Sequence, residues 1–369
     1  MNRKLKKFIK SPGIFFRDYL NKRYPVVNCE QGYIESEEPS IFIAEQKVDS
    51  IEANICCPIL NEVDAVFTWV NDKDPQWLSK KNFYLKNIDE LDCQFSADPA
   101  RFEDHNELYY SVMAVKKNLP WIRKIFIITD NQKPQWLCDD PEITLVDHTE
   151  IIDKQYLPTF NSHVIEANLH RINGLSENFI YFNDDVCVAK PVEKSHFFRK
   201  NGLASLFLSI KSLNQMAKSG MTTATLRASQ NSKTLITTRT GFEIDTPLVH
   251  TYVPLKKSTF ENAWNTFEEE IENFLSNRFR GKNDLNMATF LVPWLMYIEG
   301  KSIVTTEICY YFNIRSNHAE QQYKKLLAKQ HDAYRPHSFC LNDVSLNTVI
   351  SSEQASNKLE NFLKNYFRV

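Results

Sequence analysis

Four short, almost unbroken apolar runs, each closed by acids or amides, constrain this chain more than any other feature in it. They are Val63-Asp-Ala-Val-Phe-Thr-Trp-Val70, Lys124-Ile-Phe-Ile-Ile-Thr129, Ile143-Thr-Leu-Val146 and Asn178-Phe-Ile-Tyr-Phe182. A strand with one wet face alternates apolar and polar residues; these runs do not, which is the pattern of strands buried on both faces of a parallel sheet. Helical patterns lie between them, at Glu107 to Leu119 and at His163 to Ile172. This βαβ rhythm predicts an α/β protein, with a Rossmann-like core of mainly parallel sheet and a mainly helical C-terminal half. In that half Ser258 and Glu261 have capping-box spacing ahead of the apolar stripe Phe260, Trp264, Phe267, Ile271 and Phe274. A further helix is expected from Asp284, kinked at Pro293, and a last one from about Glu353.

Ligands of α/β sheets collect at the carboxyl ends of strands. The four runs end in Asn71-Asp72-Lys73-Asp74, Asp130-Asn131-Gln132, Asp147-His148 and Asn183-Asp184-Asp185. One such end is ordinary turn chemistry; four together point to a polar site. Asp184 and Asp185 offer hard oxygen ligands for Mg²⁺ or Mn²⁺, an ion that would bridge a diphosphate, and equally read as a helix cap with a solvated neighbour. His250 is either a structural histidine or a group poised for proton transfer. Arg278 and Arg280 precede a helix start, a place that suits either phosphate binding or surface ion pairs. Ser162, Glu166 and His170 fall on one helical face, lining the site or facing water.

Composition narrows the chemistry. With only 8 glycines, spread from 13 to 300, neither a GxGxxG nor a GxxxxGK[ST] motif can be written. A phosphate site in this chain has to use side chains, helix ends or a metal. The net charge of −2 hides a segment, residues 1 to 24, with eight Lys/Arg against Asp18. The remaining acidic body suits no nucleic acid. The basic start interleaves its cations with Leu5, Phe8, Ile9, Ile14, Phe15, Phe16, Tyr19 and Leu20, which suits an anionic membrane surface or a solvated tail. No run is long enough to span a bilayer. The 8 cysteines, without CxxC spacing and among apolar neighbours, read as reduced thiols of a cytoplasmic protein. The expected organisation is a membrane-contact segment (1–24), an acidic connector (25–61), an α/β core (62–200), a variable insert (201–245) and a helical part completing the site (246–369).

Four stretches, in order, resemble the conserved blocks of the Stealth family of sugar-1-phosphate transferases. They are Val63 to Pro75; Arg101-Phe-Glu-Asp-His-Asn-Glu-Leu through Pro120 to Trp136, Leu157 to Ser162 and Phe182 to Asp185; His250 to Asp284; and Cys340-Leu-Asn-Asp343. The resemblance implies transfer of a hexose 1-phosphate, foremost N-acetylglucosamine 1-phosphate, from a UDP-sugar to an oligo- or polysaccharide hydroxyl, in capsule or exopolysaccharide synthesis. It implies His250, Arg280 and Asp185 as catalytic, Asp184 and Asp185 as ligands of Mg²⁺ or Mn²⁺, and Asp64, Asn71, Asp74, Arg101, Ser162, Glu166 and Asp284 as substrate-binding. It further implies a peripheral position on the inner face of the bacterial cytoplasmic membrane, beside capsule-assembly machinery. Tyr109 and Met113 stand where the family commonly has arginines. A conventional glycosyltransferase forming a glycosidic bond is the alternative.

Overall fold

The structure is a computed structural model that describes residues 3–23, 62–86, 102–221, 223–331, 335–343 and 351–368. The chain divides into two units, Met1–Cys56 and Cys57–Val369. The expected acidic connector lies outside the described residues, as does Arg101. In the first unit, α1 (Arg3–Lys10) and α2 (Pro12–Arg23) are joined at Ser11. Phe8 meets Phe15 and Phe16 edge to face at 5.2 and 5.7 Å. Leu5, Ile9, Phe16, Tyr19 and Leu20 remain about half exposed. Among the described residues, no helix is long and apolar enough to cross a membrane.

The second unit is built on a five-stranded sheet in the order β3-β2-β1-β4-β7. The four apolar runs supply β1 (Val63–Thr68), β2 (Ile125–Thr129), β3 (Ile143–Asp147) and β4 (Asn178–Asn183), all parallel. β5 (Val186–Val188) and β6 (Ala204–Phe207) follow, then β7 (Val253–Lys256), which joins β4 antiparallel. β8 (Ser302–Thr305) pairs with β6, while β9 (Cys309–Asn313) and β10 (Ser338–Asn342) extend β5 into a three-stranded sheet. Both faces of the central strands are covered: Phe67, Phe179, Ile180 and Phe182 are fully buried, and Phe67 stacks on Phe182 at 4.8 Å. Truncating such a ring to alanine typically removes about 3–5 kcal/mol.

Strand order decides where a ligand can sit. From β1 the chain winds outward through β2 and β3, then returns to place β4 on the opposite side of β1. The crevice beyond the carboxyl ends of β1 and β4 is therefore the topological switch point.

Three local expectations give way. Ser258 does not cap its own helix, Lys257–Thr266; its backbone N–H and hydroxyl both donate to Glu177, at 3.2 and 2.7 Å. The helix expected through Ile172 ends at Ala167, where the Asn168 side chain donates to the Val164 carbonyl at 2.8 Å and competes with the next helical bond. Pro293 does not kink a helix midway. A π-helical turn, Met287–Leu291, leads into the helix Val292–Ile298, with the proline in its first turn, where its missing N–H costs little.

Candidate active site

The switch point gathers side chains from five elements. Asp184 and Asp185 form the turn between β4 and β5. Because β7 runs antiparallel to β4, with Val253 opposite Tyr181, the residues that lead into β7 lie at the carboxyl end of β4. That register brings His250, exposed on its loop, to Asp185. β10 pairs with β5 so that Cys340 faces Val186, and the Leu341 N–H donates to the Asp185 carbonyl at 3.0 Å. The ligand atoms of Asp185, His250 and Cys340 consequently lie within 4.8 Å of one another. The Cys340 thiol donates to Asp185 Oδ2 at 3.2 Å, while Asp185 Oδ1 is buried with no partner.

Acid accumulates here. The helix Glu107–Asn118 is fixed to β5 by Ser111 and Asn118, whose side chains donate to the Val186 and Val188 carbonyls. Its first residue, Glu107, is thereby held near Asp184. Burial pushes the Asp184 carboxyl up to about 8, helped by Asp185 and Asp104. Burial, then the neighbouring Asp184 and Asp104, also lifts Glu107 well above the usual range. Among the described residues, no Lys, Arg or His forms an ion pair with Asp184, Asp185 or Glu107. An orphaned buried oxygen among uncompensated carboxylates is what a hard divalent cation fits. Asp184 and Asp185 would hold such an ion. A neighbouring cluster differs: Arg315 grips Asp343 with two bonds at 2.5 and 2.6 Å and Glu103 at 2.7 Å, and His105 meets Asp343 at 3.0 Å. That cluster is already neutralised.

Arg280 occupies a second part of the site. Its guanidinium donates to Ser162 Oγ at 2.7 Å and to Thr225 Oγ1 at 3.3 Å. Buried Glu166 lies beside it; burial raises the Glu166 carboxyl, with His163, Arg280, Ser162 and Tyr181 opposing. The Tyr181 hydroxyl continues the network to Thr68 at 3.1 Å and to Asn183 at 3.0 Å, so Arg280 and Glu166 connect with the ends of β1 and β4. The segment that carries Arg280 is clamped from below. The Asp284 carboxylate, 1% exposed, accepts from Asn161 at 2.9 Å, His163 at 2.8 Å and Asn277 at 2.7 Å. Asn161 also donates to the Asn277 and Phe279 carbonyls, each at 3.2 Å. A Cβ at Gly281 would sit 2.4 Å from the Asn277 side-chain nitrogen and would displace the amide that bonds Asp284.

The structure thus brings Asp184, Asp185 and His250 together, and Arg280 together with Ser162 and Glu166. Other expected residues do structural work. Asp64 lies near the amino end of β1, away from the crevice, where Arg123 holds both its oxygens at 2.9 and 2.6 Å and the Ser176 N–H donates at 2.7 Å. Asp74 caps the helix Pro75–Leu85, and Asn71 shapes the same loop, both braced by Gln132. Asp284 is used up beneath the Arg280 loop. His170 leaves the Ser162–Glu166 face to stack on Phe260 at 5.8 Å. Asp104, Glu107, Asn161, His163, Tyr181 and Cys340 were not picked out from the sequence. A buried donor or acceptor is recognised by its partner, and these partners are distant in sequence.

Three family models match the chain: Stealth protein conserved region 1 over residues 61–89, region 2 over 101–206 and region 3 over 249–297. It is 59% identical over 347 residues to the capsular polysaccharide phosphotransferase fcs1 of Haemophilus influenzae, covering 93% of this chain and 94% of that one. The chain belongs to the Stealth family. It is 52% identical over 369 residues to the capsular polysaccharide phosphotransferase LcbA of Neisseria meningitidis, covering all of both proteins. This Stealth protein is a transferase. Among solved structures, the galactosyltransferase LgtC with donor and acceptor sugar analogs aligns over 83% of this chain and 96% of that one, at 9% identity and a TM-score of 0.41. Tyr109 packs on Trp136 at 5.5 Å.

Proposed function

We propose that this Stealth transferase moves a hexose 1-phosphate, N-acetylglucosamine 1-phosphate first among them, from a UDP-sugar to a saccharide hydroxyl during capsule or exopolysaccharide synthesis. The acceptor oxygen bonds to the phosphorus that carries the sugar, the bond from that phosphorus to the bridging oxygen breaks, and UMP leaves. The sugar C1–O bond survives, so the reaction needs no carboxylate nucleophile; it needs positioning, charge neutralisation and a place for the acceptor proton.

The observation that carries this reading is the antiparallel β7, which sets His250 against Asp185 at the switch point. His250 takes the acceptor proton or donates to the phosphoryl oxygens. Asp184 and Asp185 would hold Mg²⁺ or Mn²⁺, which supplies charge neutralisation on the diphosphate. Arg280, kept in place by Ser162 and the Asp284 clamp, meets the transferring phosphate, a task suited to its fixed fork of donors. The 201–245 region receives the acceptor; its helix, Ala224–Thr240, reaches Arg280 through Thr225 and the Lys282 and Asp284 carbonyls through Asn231, both at 2.9 Å. The exposed apolar residues of α1 and α2, set among cations, rest on the anionic inner face of the cytoplasmic membrane beside capsule-assembly machinery. The phosphotransfer is supported by the relatives, which are capsular polysaccharide phosphotransferases.

His250→Ala should lower transfer about 10²–10⁴-fold, the usual contribution of a proton-transfer group. Asp185→Asn should lose most activity and its dependence on divalent ion. Near wild-type transfer by both folded variants would overturn the assignment.

A further inference from the structure

We propose that Asp185, His250 and Cys340 form a capture site for a thiophilic divalent ion, Zn²⁺ or Cd²⁺, whose binding displaces the hard cation and silences the enzyme. The inference rests on the roles given above to Asp185 and His250.

Three donors of different chemistry converge from three elements: a carboxylate from the β4–β5 turn, an imidazole from the loop entering β7, and a thiol from β10. Their ligand atoms lie within 4.8 Å of one another. Tetrahedral zinc with ligands at about 2.0–2.3 Å holds its donors roughly 3.3–3.8 Å apart. Closing the set therefore takes about 1 Å, and His250, exposed on its loop with Tyr311 edge to face at 5.5 Å, is the member placed to make that shift. One carboxylate oxygen, Asp185 Oδ1, already lacks a partner, and the other holds the thiol by its proton. On binding, that proton leaves to solvent and sulfur coordinates as thiolate.

Ligand softness separates two ions at one site. Mg²⁺ and Mn²⁺ take carboxylate oxygens and ignore a thiol, whereas Zn²⁺ and Cd²⁺ prefer thiolate and imidazole. A soft ion thus occupies both the carboxylate that would hold the hard cation and the imidazole assigned to proton transfer. Among the described residues, the two other clusters with metal-ligand chemistry are already engaged in hydrogen bonds and ion pairs. Glu307 already accepts from His196 at 2.7 Å, Tyr252 at 3.2 Å and Ser338 at 3.0 Å, and His337 Nδ1 accepts the Ile308 N–H at 3.2 Å. Glu103 and Asp343 are held by Arg315, and His105 is bonded to Asp343.

The test is a titration of the metal-free full-length protein with Cd²⁺ alone, following the thiolate-to-cadmium charge-transfer absorption. The tightest binding step should carry this band in the wild type and in a Cys138→Ser control, whose thiol is exposed elsewhere. That step should vanish in Cys340→Ser, and Zn²⁺ should compete for it. A second variant, His250→Ala, guards against a folding defect and should weaken the step at least tenfold. Absence of the band, or its persistence in Cys340→Ser, overturns the inference. UMP release with Mg²⁺ separates the two readings: transfer intact without a cadmium band sinks only this one, and no transfer in Mg²⁺ sinks the function on which it rests.

Discussion

Asp184 gives the metal reading a thermodynamic signature. Its carboxyl ordinarily titrates near 3.8 and is lifted to about 8, by burial first and then by Asp185 and Asp104. Between those values the folded chain keeps a proton that the unfolded chain has released. Stability without metal therefore falls as pH rises from about 4 to about 8. A displacement of about four pH units at 1.36 kcal/mol each bounds the cost near 6 kcal/mol, and solvent at this half-open site reduces it to about 2–3 kcal/mol. Asn has the same shape without the charge. Metal-free Asp184→Asn should thus be more stable than the wild type by about 2–3 kcal/mol at pH 8, with a smaller gain at pH 5.5. Saturating Mn²⁺ should reverse the order, since an ion at 1,000 times its Kd stabilises the wild type by about 4.1 kcal/mol and the variant by far less. Urea unfolding at both pH values, with chelator and then with Mn²⁺, measures all four quantities. If Asp184→Asn is no more stable than the wild type at pH 8 without metal, or if both chains gain equally from Mn²⁺, the carboxylates at this turn are not a cation site.

Asp284→Ala removes a buried carboxylate that accepts from Asn161, His163 and Asn277 at once, and should cost about 3–5 kcal/mol in denaturant unfolding, with transfer falling as the Arg280 loop loosens. An Asp284→Ala protein of wild-type stability but without activity would instead place Asp284 on the substrate. Removing residues 1–24 should shift the protein from membrane to soluble fractions and abolish its binding to anionic vesicles; an unchanged distribution would remove the membrane role from α1 and α2.

The sheet was legible because strands buried on both faces leave continuous apolar runs, and all four appear within a few residues of their expected bounds. The acidic pair was legible because it follows such a run directly. β7 was not: Val-Pro-Leu-Lys is only four residues long and contains a proline, which a sheet accepts here because β7 is its edge strand. Hence the approach of His250 to Asp185, which depends on β7 pairing antiparallel to β4, could not be read from local pattern. Asp64, which the resemblance placed on the substrate, has both oxygens taken by Arg123, 59 residues away, a partner that no local pattern announces. The Asp284 clamp was hidden likewise, since its donors Asn161 and His163 lie more than 120 residues away. Periodicity reports which face is dry; which buried polar groups satisfy one another is decided only when distant segments meet.

The most direct test of phosphotransfer is the nucleotide that leaves. Purified protein supplied with Mg²⁺ or Mn²⁺, a saccharide acceptor and a panel of UDP-sugars should release UMP in proportion to product, and phosphorus NMR of that product should show a phosphodiester. Release of UDP, with a product that contains no phosphorus, would contradict it and make the enzyme a conventional glycosyltransferase.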